Sequence, residues 1–364
     1  MKKISILLIA LVILSCGTTK QKATEGEKQK ASSSRDVTKN PLDHKVLDSK
    51  GIEKAKDYAR AYAKSITQDA LKKLLYTIAS DSLAGRRTGE KGQKDAAKFI
   101  IDFYKNLNIK AANTNGDYLQ NIPVDFFKGQ SNNDSENVVA YIKGTEKPDE
   151  YVVISAHYDH LGVKGELIYN GADDDGSGTS ALLEIAEAFK IASDAGHGPK
   201  RSMVFLHVTG EEEGLFGSKY YAEHPIFPLA NTVVDLNIDM VGRFDEKHKE
   251  NPEFVYLIGA DKLSTELHEL SEAVNKKYTK LELDYTYNDE NDPNRFYYRS
   301  DHYNFAKNGI PIIFYFNGTH ADYHQATDTP DKIRYDLLQI RAQLVFYTAW
   351  EIANKKDRLI VDKK

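Results

Sequence analysis

The chain of 364 residues holds one cysteine, Cys16. A single thiol excludes an internal disulfide and a zinc site built on several cysteines. The apolar run Ile4 to Leu14 is about 11 residues, short of the roughly 20 that a membrane-spanning helix needs. No basic stripe interrupts a net charge of −5, so nucleic acid is excluded as a partner class. No internal repeat is found, which argues against a solenoid. What remains is a chain with 41% hydrophobic and 28% charged residues, the balance of a soluble globular protein. Its length suits one large α/β domain or two ordinary ones.

The position of the cysteine gives it a role. Met1-Lys2-Lys3 is a basic start, the apolar run follows, and Ser15 precedes Cys16. The run fits the ~7–15 residues of a signal-peptide core. Ile13-Leu14-Ser15-Cys16 resembles a bacterial lipoprotein cleavage box. That resemblance implies cleavage before Cys16, acylation of its thiol and a place in the cell envelope. An ordinary secretory signal with a chance cysteine is the alternative. Residues 17 to about 50 are Lys, Thr, Gln, Ser and Glu with few apolar positions, too little to offset ordering entropy. The expected organisation is therefore a signal peptide at 1–15, a lipidated cysteine and tether at 16–50, and one folded domain at 51–364.

Within that domain, Ile52, Ala55, Ala59, Tyr62, Ala63 and Ile66 recur at helical spacing. A second helix is expected from Ala70 to Ile78, and a third with Ala96, Ala97, Ile100, Phe103 and Tyr104 on one face. Short β-branched runs then alternate with helical patterns. Val138–Ile142, Tyr151–Ala156, Met203–Val208, Thr232–Ile238 and Ile310–Phe316 read as strands. The face Leu182, Leu183, Ile185, Ala186 and Phe189 and the segment Leu337–Ile352 read as helices. Nearly continuous apolar strands separated by helices predict a three-layer α/β/α domain on a mixed, mainly parallel sheet. Tyr285 to Ser300, rich in Asn, Asp, Tyr and Arg, reads as a long functional loop.

Histidines and carboxylates cluster at the carboxyl ends of these strands, the edge where open α/β sheets place ligands. Four segments fall there: Ser155-Ala156-His157-Tyr158-Asp159-His160, Gly171-Ala172-Asp173-Asp174-Asp175-Gly176-Ser177-Gly178, Gly210-Glu211-Glu212-Glu213-Gly214 and Asn237-Ile238-Asp239. Asp322-Tyr323-His324-Gln325 follows the last strand. A catalytic zinc takes three protein ligands and keeps a position for water. A carboxylate shared by two zincs holds them ~3.5–4 Å apart. Two histidines, one shared aspartate and two further carboxylates meet that count, leaving one glutamate of the Glu211-Glu212 pair as a base.

The combined array resembles the M28 family of zinc metallopeptidases, over about residues 70 to 350. His-x-Asp, Gly-x-x-Asp-x-x-Ser-Gly, Glu-Glu-x-Gly-Leu-x-Gly-Ser, Asp-Met-Val-Gly and Tyr-His before Asp-Thr stand in family order. Gly85-Arg86-Arg87-Thr88-Gly89 and Asn137-Val138-Val139-Ala140 are further family-like pieces. The resemblance implies two Zn2+ per chain, one held by His157, Asp174 and Asp239, the other by Asp174, Glu212 and His324. It implies Glu211 as general base, Asp159 fixing the His157 ring, and Tyr323 steadying the tetrahedral intermediate. The implied activity is an aminopeptidase acting on peptides with a free N-terminus. The membrane would be met through the lipid anchor alone, and the oligomeric state stays open.

Plainer readings cover the neighbours. Asp173 and Asp175 are expected to cap the next helix or face solvent, and Glu213 to be solvated. His160 and His320 are expected to be satisfied polar residues, His207 a core histidine. Ser300-Asp301-His302 cannot be a catalytic triad, because adjacent residues do not meet side chain to side chain; in the family it walls the pocket. Arg295 and Arg299 are expected to shape that wall or pair with nearby Asp residues. The rival functions are a carboxypeptidase or dipeptidase on the same fold, a glutaminyl cyclase, and a non-catalytic binding protein. Cyclases of this fold carry a tryptophan before the last histidine ligand, whereas Tyr323 stands here and the one tryptophan, Trp350, lies in the closing helix.

Overall fold

Strands buried on both faces lose the polar–apolar alternation of a half-exposed sheet, and the chain follows that rule. The computed structural model describes residues 57–363. The expected signal peptide, Cys16, the tether, and Ile52 and Ala55 lie outside the described residues. The order begins with helices α1 (Tyr58–Ala63), α2 (Gln68–Ile78) and α3 (Lys91–Asn106). Strands β1 (Lys110–Ala111), β2 (Leu119–Ile122), β3 (Ser135–Ile142) and β4 (Lys147–His157) follow, then β5 (Gly162–Lys164) and β6 (Leu167–Tyr169). Next come α4 (Gly178–Asp194), β7 (Arg201–Val208), α5 (Phe216–Glu223), β8 (Thr232–Ile238) and β9 (Phe254–Ile258). The chain closes with α6 (Thr265–Tyr278), β10 (Glu282–Asp284), α7 (His302–Ala306), β11 (Ile312–Phe316) and α8 (Tyr335–Asn354).

Nine strands make one sheet in the order β1-β3-β7-β4-β8-β11-β9-β10, with β2 also paired to β3. The centre β7-β4-β8-β11 is parallel. Antiparallel pairs flank it, β3 on β7 and β9 on β11. Every residue of β7 and β8 is buried, which is why both read as unbroken runs.

Helices cover both faces. On one, Phe205 of β7 meets Phe189 of α4 and Tyr104 of α3, and Phe189 packs against Phe346 and stacks on Trp350, both of α8. On the other, Val204, Leu206 and Val208 pack with Tyr221 of α5 and Phe305 of α7. Burying each such aromatic side chain contributes about 2 kcal/mol. His207 is a core histidine, with Nε2 2.7 Å from the Tyr104 hydroxyl. Burial pulls its pKa down to about 3. Among the described residues no helix is long and apolar enough to cross a membrane.

Candidate metal centre

His157 is the last residue of β4, Glu211 and Glu212 follow β7, Asp239 follows β8, and His324 lies in the loop after β11. These four strands are neighbours in the sheet, so their carboxyl ends deliver the side chains to one place. Asp174 comes from the turn between β6 and α4. Gly210 precedes the glutamate pair at φ +67°, a conformation glycine adopts without strain.

Asp174 stands between two groups of donors. Its Oδ1 lies 3.2 Å from His157 Nε2, which is 3.6 Å from Asp239 Oδ1. Its Oδ2 lies 3.1 Å from His324 Nε2, itself 3.1 Å from Glu212 Oε2. His160 was expected to be a satisfied polar residue, and it is not. It is buried, its Nδ1 is 2.6 Å from Glu212 Oε1, and neither ring nitrogen has a hydrogen-bond partner. His157 Nε2, Asp174 Oδ2 and Glu212 Oε1 are likewise buried without one. Buried polar atoms are rarely left so, and here His160 Nδ1 lies beside both Glu212 Oε1 and Asp174 Oδ2. A nitrogen and carboxylate donor set without sulfur fits zinc at two positions sharing Asp174.

A second tier of residues fixes this geometry. Arg86, fully buried, donates to the carbonyls of Ile78, Tyr158, Asn170 and Gly171, at 2.7 to 3.0 Å. It thereby ties the end of β4 to the turn that carries Asp174. Asp328 accepts from the amides of Asp173 and Asp174. Ser300 donates to Asp239 Oδ2 at 2.6 Å and accepts from Asn237. Ser300 thus sits behind a candidate ligand, not on the pocket wall that was expected. His302 turns away to the Tyr297 carbonyl. Asp322 anchors the His324 loop through Arg243 and Lys332.

Three further expectations change. The Asp159 carboxylate stands 3.7 Å from His157 Nδ1, beyond hydrogen-bond reach, and the Asp159 backbone carbonyl at 3.1 Å takes its place. The carboxylate instead accepts from the Thr88 hydroxyl and the Glu211 amide. Asp173 neither caps nor faces solvent; it is buried, accepting from the Gly242 amide and lying 3.1 Å from His320. Asp175 does bond the first amide of α4, at Gly178, and also that of Met240. Glu213 is half-buried and pairs with the exposed Arg87 at 3.2 Å.

The charges respond to the crowding. Burial would raise Asp174, but His157, His324 and His160 hold its carboxyl well below the usual range. Burial would lower His324, yet Asp174 and Glu212 lift it to about 10. Glu211 goes the other way. Burial pushes its carboxyl well up, His157 opposes, and Asp239, Glu212 and Asp301 push it further.

Glu211, Asp174 and Asp239 open on a cleft walled by Met240, Phe296, Phe314, Phe316, Thr319, Tyr323 and Arg299. The Tyr323 ring stacks on His324, and burial holds its phenol protonated far above neutrality. The loop that was read as functional contributes Phe296 and Arg299. Arg299 lies over the Phe296 ring and 3.4 Å from the Tyr323 hydroxyl. Arg295 points elsewhere, over Tyr298, into a separate cavity of about 470 Å³. Neither arginine has an Asp or Glu partner among the described residues, so the expected pairing is not found.

Comparison with known proteins bears on the family and the fold. The aminopeptidase YwaD of Bacillus subtilis is 29% identical over 246 residues, 65% of this chain and 49% of that protein. A probable zinc metalloprotease of Pyricularia oryzae is 38% identical over 110 residues, 29% of this chain and 21% of that one. The chain thus spans half or less of the length of these relatives. In structure, the Legionella pneumophila LapA aminopeptidase aligns with TM-score 0.65 at 19% identity, covering 92% of this chain and 81% of that one. BSAP, a zinc aminopeptidase from Bacillus subtilis, aligns with TM-score 0.65 at 16% identity, covering 82% and 98%. These two likenesses establish the shared fold. Residues 137–349, which supply every candidate ligand, match peptidase family M28, and the chain belongs to that family.

Proposed function

We propose that the protein is a zinc-dependent aminopeptidase that removes residues from the N-terminus of peptides. The observation that carries this reading is the pair of donor groups meeting on Asp174 beside a cleft that also holds Glu211. His157, Asp174 and Asp239 would hold one zinc, and Asp174, Glu212 and His324 the other. Bound there, two zinc ions would supply Lewis acidity and lower the pKa of a water from 15.7 toward about 7.

The remaining chemistry belongs to the chain. Glu211 takes the proton of the attacking water, a role open to it because it borders the cleft without belonging to either donor group. The hydroxyl adds to the peptide carbonyl carbon, and Glu211 returns the proton to the leaving amine as the C–N bond breaks. Asp159 supports this at two points, with its carbonyl orienting His157 and its carboxylate holding the Glu211 amide. The Tyr323 hydroxyl, kept protonated, donates to the developing oxyanion. Asp239 and Glu211 border the cleft where a substrate ammonium would receive a charge-assisted contact. Met240, Phe296, Phe314 and Phe316 suit a large apolar first side chain. Export and lipid attachment at Cys16 belong to the same proposal and rest on the sequence.

Arg299 favours one second reading. It is a cation in the cleft wall with no carboxylate partner among the described residues, as a carboxypeptidase or dipeptidase would need for a terminal carboxylate. A panel of free-amine, N-acetylated, C-amidated and N-glutaminyl peptides, read by mass spectrometry, tests both. N-acetylation is expected to remove nearly all cleavage, and C-amidation to change little. The reverse pattern, with activity lost in Arg299→Ala, would install the second reading. Conversion of N-terminal glutamine to pyroglutamate would make the protein a cyclase.

A further inference from the structure

His160 lies outside the five-ligand set that the family resemblance implies. Its place in the fold is nevertheless fixed from several sides. Its amide donates to the Arg86 carbonyl. Its ring lies so close over Gly171 that a Cβ there would stand 2.4 Å from the ring carbon Cγ. Gly171 has φ +52°, so glycine serves both the turn and the ring above it. On that side the imidazole has no room to move without displacing the turn that carries Asp174.

That fixed ring faces the metal position opposite His157. Nδ1 is 2.6 Å from Glu212 Oε1 and 3.9 Å from Asp174 Oδ2, and the ring centroid is 5.9 Å from that of His324. At 2.6 Å the two atoms are within ion-pair distance, yet they do not meet in hydrogen-bond geometry. Together with Asp174 these atoms form a group of donors close enough to share one metal ion. Hydrogen-bonded as a spectator, His160 would have at least one nitrogen satisfied.

We propose that His160 is a ligand of the metal position formed by Asp174, Glu212 and His324. The inference rests on the two-position reading above and extends it. The position then has four protein donors, whereas the His157–Asp174–Asp239 position has three. Four donors make a closed site and three leave a site open to water. The two positions are therefore unequal, the first retaining its metal and the second exchanging it.

The test uses the whole protein loaded with Zn2+ and dialysed against graded chelator, with zinc per chain measured by mass spectrometry. Wild type is expected to fall from two zincs to a plateau at one, and only then to zero. His160→Gln should lose the plateau, its retained zinc leaving at a chelator concentration at least about tenfold lower. His160→Asp, which restores an oxygen donor, should recover part of it. Wild type with two zincs and an identical release curve in His160→Gln would overturn the His160 assignment alone. Wild type that binds no zinc would overturn the two-position reading with it. If His160→Gln fails to fold, histidine-labelled wild type loaded with 113Cd decides by NMR. Three ring nitrogens coupled to cadmium, two of them to the same ion, are expected; two coupled rings in all would refute the proposal.

Discussion

Replacing Arg86 by methionine probes how far the site depends on a residue that reaches no substrate. Its guanidinium serves four backbone carbonyls, those of Ile78, Tyr158, Asn170 and Gly171. Methionine fills much of the same volume and donates nothing. Each buried carbonyl left without a donor costs about 1–3 kcal/mol. Some water can enter the vacated space, so the lower end applies, giving a loss of about 4 kcal/mol. A domain of this kind has ~5–15 kcal/mol in hand, so the variant should fold but unfold at clearly lower urea. Urea titration of metal-free wild type and variant, followed by circular dichroism, measures the difference without support from bound metal. Arg86→Lys keeps the charge and should recover only part, because one ammonium cannot span four carbonyls. Hydrogen exchange should also quicken first around residues 170–175, where two of the carbonyls lie. A loss under about 1 kcal/mol with unchanged exchange would refute the clamp.

Three other perturbations follow from the structure. Glu211→Gln should keep zinc content and thermal stability while turnover falls about 10³-fold, because the amide cannot take a proton; zinc lost from this variant and kept in Glu212→Gln would reverse the two roles. His207 has a folded pKa near 3 against about 6.5 unfolded, so the unfolded chain takes up the proton first and stability falls as pH drops from about 6.5 toward 3. His207→Gln should therefore lose about 2 kcal/mol less between pH 7 and pH 5 than wild type, measured by urea titration of metal-free protein; equal losses would show that His207 is not neutral in the fold. Cys16→Ala should release the protein from the membrane fraction with unchanged peptidase activity, and wild type free in solution would remove the lipid anchor.

Some of this molecule could be read directly from residue order. Parallel strands covered on both sides have to be apolar throughout, so β4, β7, β8 and β11 stood out, and the polar residues ending them became candidates at once. Other elements left faint traces. The buried face of α6 is Leu267, Ser271, Val274 and Asn275, half of it polar, and β2 is four residues at the sheet edge with one exposed. In the site, spacing along the chain shows which residues are near, but not which atom points inward. The Asp159 carbonyl could not be told from its carboxylate, nor Asp173 buried from Asp173 exposed. His160 looked ordinary because its partners, Glu212 and Gly171, approach it from other segments. Arg86 and Thr88 were visible only as part of a resembling motif; their work, donating to Gly171 and to Asp159, needs the fold to define it.

The sheet order has a bearing on when the metal centre can be assembled. Neighbouring strands β4, β8 and β11 are far apart along the chain, and the donor nearest the C-terminus, His324, comes after the last of them. A fragment ending before β11 lacks both a wall of the cleft, Phe314 and Phe316, and the loop that carries His324. No proteolytic piece or unfinished chain short of that point can build the centre. The two donor groups therefore come together only once the chain has folded through to the loop after β11.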